Sequence, residues 1–299
     1  MGFDARDMVE SWRLAMVAAR RSPRTIESYL RGVTQLLDWL DANGRPADLS
    51  DPEHVRAWLA AHRDDWEGTT MQVRLAAVRA FAKFMMQEGE LDSSGAARVE
   101  WPKLDEKIPP AFTPEQVREM IGTCSAKTFT GTRDAALISL SFSSLLRRNE
   151  LLSMRMKTDD HPGDIDLKNG LVRVRRGKGG KERISVFDAD TATRLDRYLR
   201  YRARHKNAHL EAVWLAEGRG ELSDEGLYWA IRRHGEAIGI KAYPHMSRAG
   251  GAIQWRSKNG STEGLMAIAG WTNVQMVMRY TRAAQMELAI AEAKRLHEK

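Results

Sequence analysis

The chain has 299 residues, 42% of them apolar, which is enough to bury one or two ordinary cores. A single cysteine, Cys124, excludes an internal disulfide and fits a reducing compartment, and no apolar run approaches the roughly 20 residues that span a bilayer. The net charge of +7 is uneven, because residues 1–100 carry −3 and residues 101–299 carry +10. A basic second half favours a polyanionic partner, since Lys and Arg neutralise phosphates and release their counterions, although charge alone also suits a merely basic soluble protein. The start, Met1 to Arg6, has no signal-peptide pattern and places Arg6 where a myristoylation signal needs Ser or Thr. A cytoplasmic protein without membrane contact is the expectation.

The first hundred residues read as helices. Ser22-Pro23 is a cap and first-turn pair, and Ile26, Tyr29, Leu30, Val33, Leu36, Leu37 and Leu40 follow at helical spacing. Asp41 to Pro46 breaks the pattern. Ser50 and Pro52 open a further helix through Val55, Trp58, Leu59 and His62. Another runs from Thr69 to Met86, with Arg74, Arg79 and Lys83 between apolar positions. Periodicity lapses after Leu91, so residues 1–95 form a helical domain, 96–112 a linker rich in Pro and Lys, and 113–299 a second domain. Thr113-Pro-Glu-Gln116 is a capping-box start, and a long helical pattern runs from about Thr132 to Ser144 with another helix starting near Arg147 to Asn149. Leu171 to Arg175 and Arg183 to Phe187 alternate apolar and polar residues around Gly177-Lys-Gly-Gly-Lys181, which makes a β-hairpin. Helices return after it, with breaks near 218–223, 239–244 and 258–262, and a helical tail starts at about 283. The fold class is therefore mainly α with one small antiparallel sheet.

Several chemistries are excluded by spacing. The glycine-rich turn lacks the four-residue gap and the Ser or Thr of a Walker loop, and it leads into a strand, not a helix. The histidines and Cys124 do not fall at metal-ligand spacing, and Asp159, Asp160, Asp164 and Asp166 lack an EF-hand's ligand order, so they read as a solvated loop. No Gly-x-Ser-x-Gly elbow announces a hydrolase. What remains is basic: Arg147 with Glu150 three residues on, a lysine in the hairpin turn, His245-Met-Ser-Arg248 with both side chains on one helix face, Trp271, and Tyr280 nine residues later.

In that order and spacing the set resembles the tyrosine recombinases, the phage integrase family. The resemblance extends over the chain, since a helical core-binding domain of SAM-like type, a linker and a mixed catalytic domain are that family's layout. It implies that Arg147, Lys178, His245, Arg248, Trp271 and Tyr280 are catalytic, that Glu150 supports Arg147, and that Lys181 is the second choice for the hairpin lysine. Leu145 departs from the pattern, which has glycine two residues before the first arginine, and Ala249 to Trp255 is atypical. The implied reaction is cleavage and rejoining of DNA through a 3′-phosphotyrosine on Tyr280. Arg147 and Arg248 bind the non-bridging oxygens through paired hydrogen bonds, His245 takes the phenolic proton, Lys178 protonates the leaving 5′ oxygen, and Trp271 braces the phosphate. No metal, cofactor or ATP enters.

The resemblance also implies double-stranded DNA recombination sites as partner, two domains closing round the duplex, and phosphate contacts from Arg20, Arg21, Arg24, Arg74, Arg173, Arg175, Arg176, Lys181 and Arg183. It implies a tetramer on DNA from a monomer in solution, a C-terminal tail with Met286, Leu288, Ile290 and Leu296 on its apolar face docking on a neighbour, and an accessory directionality protein. Helices that begin close to Met1 leave no room for an arm-site-binding domain, so a small phage integrase is the first reading. Xer-like resolution of chromosome or plasmid dimers, a type IB topoisomerase and a catalytically silent DNA-binding regulator are the others.

Overall fold

A computed structural model describes residues 5–104, 108–175, 182–218 and 220–297, apart from the side chains of Ala283, Glu287, Leu288, Ala291, Arg295 and Leu296. The chain divides into two compact units, Met1–Glu106 and Lys107–Lys299. The first packs helices α1 (Met8–Ala18), α2 (Pro23–Ala42), α3 (Pro52–Ala61) and α4 (Gly68–Gln87). Ser22 caps α2 by accepting the Thr25 N–H at 3.1 Å. The cap of α3 is Asp51, not Ser50, and it accepts the Glu53 N–H at 2.8 Å. The apolar stripe of α2, Val33, Leu36, Leu37 and Leu40, meets Trp58 of α3 and Leu75, Val78 and Phe81 of α4, all buried. Each such side chain contributes about 1.5–3 kcal/mol through burial.

The second unit begins with α5 (Pro114–Gly122), whose Thr113 and Gln116 form the capping box that the sequence predicts. Next come α6 (Phe129–Ser143) and α7 (Arg148–Leu152), then strands β1 (Ile165–Asp166), β2 (Leu171–Val174) and β3 (Arg183–Val186). Helices α8 (Ala189–Arg202), α9 (Asp224–Glu236), α10 (Pro244–Ser257), α11 (Thr262–Ala269), α12 (Val274–Thr281) and α13 (Gln285–His297) complete it. The fold is mainly helical with one small antiparallel sheet in the order β1-β2-β3. Helix α6 is the centre: it is buried along most of its length and packs on α5, α8, α9 and α10.

The sheet departs from a simple reading in two ways. The two-residue strand β1 pairs Ile165 with Val172 and is too short for periodicity to register. Strand β3 turns its polar residues inward: Ser185 is fully buried and donates to the Ser144 carbonyl at 2.5 Å, while Ile184 and Val186 face outward. Asp164 is likewise no part of a solvated loop. It is buried, accepts the Arg155 N–H at 2.7 Å and pairs with Arg175 at 2.8 Å. In α13, Met286 is 73% and Ile290 49% exposed; Leu288 and Leu296 lie outside the described side chains. No helix among the described residues is long and apolar enough to cross a membrane.

Candidate active site

Three loops and helix ends converge at one face of the second unit. Arg147 stands at the N-cap of α7, with extended backbone. Glu150, one turn on, reaches back and accepts the Arg147 N–H at 2.7 Å and its guanidinium at 2.8 Å. The remaining arm of Arg147 donates to the carbonyl of Gly270 at 2.9 Å. Gly270 ends α11 in the left-handed conformation, φ +64°, so the helix closes there and Trp271 is turned into the core.

Helix α10 carries His245 in its first turn and Arg248 one turn further in. Arg248 is buried, donates to the Leu145 carbonyl and to the Ala269 carbonyl, and lies over the Trp271 ring at 5.0 Å. Burial, and then the charge of Arg147, push its pKa down to about 10. The stretch after it is atypical for a packing reason: a Cβ on Gly250 would stand 2.2 Å from the Phe112 carbonyl oxygen, and one on Gly251 2.2 Å from that of Phe142. Only glycine lets α10 approach the chain that closely. Leu145, in place of the family's glycine, is held at φ +55° although its side chain is buried.

Tyr280 sits near the end of α12, which Asn273 caps by accepting the Gln275 N–H at 2.8 Å. Its ring stacks on Trp271, 5.0 Å between centroids and 10° from parallel. His245 faces the cleft; desolvation by the cleft walls, then Arg148 and Arg279, lower its pKa below the usual 6.5. Its imidazole is therefore neutral at pH 7 and able to accept a proton. Arg147, His245, Arg248, Trp271 and Tyr280 line one cleft of about 500 Å³. The cleft is completed by residues that sequence reasoning did not single out, including Arg148, Tyr228, Tyr243 and Met276. Arg148 pairs with Asp224 at 2.6 Å.

Lys178, Arg176 and Lys181 lie outside the described residues. Of the other expected phosphate contacts, Arg20, Arg21 and Arg24 are exposed at the corner between α1 and α2, and Arg173 is exposed on β2. Arg74 is partly buried, donates to the Ser28 carbonyl at 3.3 Å and lies over Trp66. Arg175 is engaged by both oxygens of Asp164 at 2.8 Å. Arg183 is the clearest correction. Its side chain is 11% exposed and points inward, donating to both Glu150 oxygens at 2.8 and 2.7 Å and to the Ile268 carbonyl at 2.9 Å.

The chain matches known proteins in sequence and in fold. A family model described as "Phage integrase family" matches residues 110–287, and one described as "Phage integrase, N-terminal SAM-like domain" matches residues 9–89. The chain is similar to a protein called tyrosine recombinase XerC from Roseiflexus sp. (strain RS-1), 26% identical over 284 residues, covering 92% of this chain and 88% of the relative. It is also similar to tyrosine recombinase XerA from Thermococcus kodakarensis, 25% identical over 291 residues, with 97% and 96% covered. Among solved structures, XerH recombinase bound to a palindromic difH substrate in a post-cleavage complex superposes with a TM-score of 0.71 at 17% identity, covering 92% of this chain and 80% of that one.

Proposed function

This chain belongs to the phage integrase family and is a tyrosine site-specific recombinase, and we propose that Tyr280 is its nucleophile. The phenol attacks the scissile phosphorus, a Tyr280–phosphate ester forms at the 3′ end, and the bond to the 5′ oxygen breaks. Tyrosine has a pKa of about 10 and must lose its proton as it attacks; neutral His245 accepts it. Lys178 gives the departing 5′ oxygen its proton. Arg147 and Arg248 bind the non-bridging oxygens, where charge gathers in the transition state, and Trp271 holds the tyrosine ring against the arginine pair. Attack by another strand's 5′ hydroxyl reverses the steps and rejoins the DNA, so neither ATP nor metal is consumed. The observation that carries this reading is the cleft itself: five side chains from four separate segments face one space, with Tyr280 stacked on the ring that Arg248 covers.

Residues 1–95 and 113–299 act as core-binding and catalytic domains on double-stranded DNA joined by residues 96–112, with Arg20, Arg21, Arg24 and Arg173 on phosphates. Four subunits assemble on two sites, each docking α13 on a neighbour; exposed Met286 and Ile290 support this. An accessory protein sets direction in the cytoplasm. For biological use, integration and excision of a phage genome is one reading. Resolution of chromosome or plasmid dimers is favoured by the Xer relatives, which match along 92% and 97% of the chain.

The test is to select bound sequences from a pool of random duplexes, then incubate the full chain in EDTA without ATP with nicked duplexes of the selected sequence. A covalent adduct at a 3′ phosphate that disappears in Tyr280→Phe is expected. Binding without adduct on any nicked duplex sinks the proposal and leaves a DNA-binding regulator. Two identical sites in direct repeat, or two different ones, then separate dimer resolution from integration by which pair recombines.

A further inference from the structure

Three arginines grip three successive backbone carbonyls at the end of α11. Arg183 holds Ile268, Arg248 holds Ala269 and Arg147 holds Gly270. Two of them, Arg147 and Arg183, also share the buried carboxylate of Glu150. Both of its oxygens are filled from two sides: Arg147 supplies a backbone N–H and one arm, and Arg183 supplies a parallel fork. Bidentate charge-assisted pairs of this kind fix geometry as well as energy. Gly270 sits directly on the Arg183 side chain, where a Cβ would come within 3.0 Å of its Cδ and Nε.

From this arrangement, and resting on the assignment of Arg147 to the scissile phosphate, we propose that Arg183 is a positioning residue for DNA cleavage. It locks Glu150, Glu150 sets the plane of the Arg147 guanidinium, and the same fork ties the first residue of β3 to the phosphate site. An arginine left free to swing must be ordered during the reaction, whereas one clamped at backbone and side chain is aimed beforehand. Lysine substitutes only in part, because a single ammonium keeps the charge but cannot span two carboxylate oxygens and a carbonyl in one plane. The fork also places Arg183 outside direct phosphate contact, since each of its nitrogens already donates inward.

The experiment measures single-turnover cleavage of the nicked, selected duplex by the full chain, with DNA affinity across a salt series alongside. A misplaced catalytic group costs about 10²-fold, so Arg183→Ala is expected to slow cleavage by roughly 10–100-fold with unchanged affinity and an unchanged slope of log affinity against log salt. Arg183→Lys falls between. In an Arg147→Ala background the further loss from Arg183→Ala is expected to vanish, because Arg183 acts through that residue. A second signature comes from pH. Burial pushes the Glu150 carboxyl up, and the Arg183 fork is foremost among the bonds that bring it down to about 2. Without the fork the foremost of these lowering bonds is gone, so the Glu150 carboxyl takes its proton at a higher pH and the variant's rate starts to fall at a higher pH than the unsubstituted protein's. A merely structural role lowers the folded fraction without this acid limb; if Arg183→Ala does not fold, Arg183→Lys and Glu150→Gln carry the same cycle with Arg147→Ala. Full additivity with Arg147→Ala overturns the proposal. So does a salt slope reduced by about 1, the mark of a lost phosphate contact. Absence of adduct from the unsubstituted protein overturns the active-site assignment beneath it, whereas adduct at equal rates from it and Arg183→Ala overturns only the positioning role.

Discussion

Replacing Leu145 sets two effects against each other, and their sizes decide the outcome. The residue is held at φ +55° and is 1% exposed, among Ala252, Leu265, Trp271 and Val277. A non-glycine residue in the left-handed region carries roughly 1–2 kcal/mol of strain. Removing a buried leucine side chain costs about 2–5 kcal/mol, and glycine adds about 0.4–1 kcal/mol through the freedom it gains when unfolded. Burial outweighs strain, so Leu145→Gly is expected to destabilise the second unit by about 2–3 kcal/mol. At the ~2–4 °C per kcal/mol usual for a unit of this size, its calorimetric midpoint falls by about 4–12 °C. Leu145→Ala loses nearly the same contacts and keeps the strain. The alanine variant is therefore the less stable of the two by about 1 kcal/mol, the reverse of the usual order. An alanine variant equal to or more stable than the glycine variant, or a glycine variant more stable than the unsubstituted chain, would refute the reasoning.

In the pH dependence of cleavage, neutral His245 is the competent form, and its pKa lies below the usual 6.5. The rate is expected to fall in acid as His245 gains a proton; an acid limb that persists unchanged in His245→Gln in a single-turnover profile removes His245 as the base. Arg175→Ala leaves the buried Asp164 with the Arg155 N–H and without its cation. Breaking a buried pair costs about 3–5 kcal/mol, discounted here to about 1–3 because the arginine side chain is 31% exposed, and Asp164→Asn in the same background should recover much of the loss in a denaturant titration. Gly250→Ala forces a Cβ against the Phe112 carbonyl oxygen, so a loss of at least about 1–3 kcal/mol by overpacking is expected from the same titration. Orthovanadate, a phosphate mimic, should raise the unfolding midpoint of the full chain. Saturation to 100 times its dissociation constant corresponds to about 2.7 kcal/mol; the rise should be absent in Arg248→Ala.

The last of these expectations follows from how the site is charged. Arg147 and Arg183 share a single carboxylate, Glu150, while Arg248 is near enough to feel its charge but donates to backbone carbonyls. Backbone carbonyls supply the rest of their partners, and a carbonyl orients a guanidinium without cancelling its charge. The depressed pKa of Arg248 reflects the excess: burial and the neighbouring arginines oppose its charge more than Glu150 supports it. Such a pocket is least comfortable when empty and is relieved by an anion, most of all by the charge that gathers on a phosphorus in transition.

Five groups of that cleft were named from the sequence through a resemblance, which a few unusual residues in a fixed order carry. The fold class was readable from local pattern: the stripe Val33, Leu36, Leu37 and Leu40 and the Thr113 capping box each have one structural solution. Arg183 was not readable. Its strand is four residues long, and alternation gives two faces without saying which is inside. In β2 the valines go in; in β3 the choice reverses, because Glu150 and the Ser144 carbonyl lie behind the sheet and satisfy Arg183 and Ser185. Both partners sit more than thirty residues away in the chain, so nothing local to β3 announces them. The same holds for Asp164, whose neighbours along the chain suggested a solvated loop until Arg175, just past the end of β2, closed on it. A basic residue beside a glycine-rich turn invites assignment to DNA. Only the position of a buried carboxylate shows that this one faces the other way.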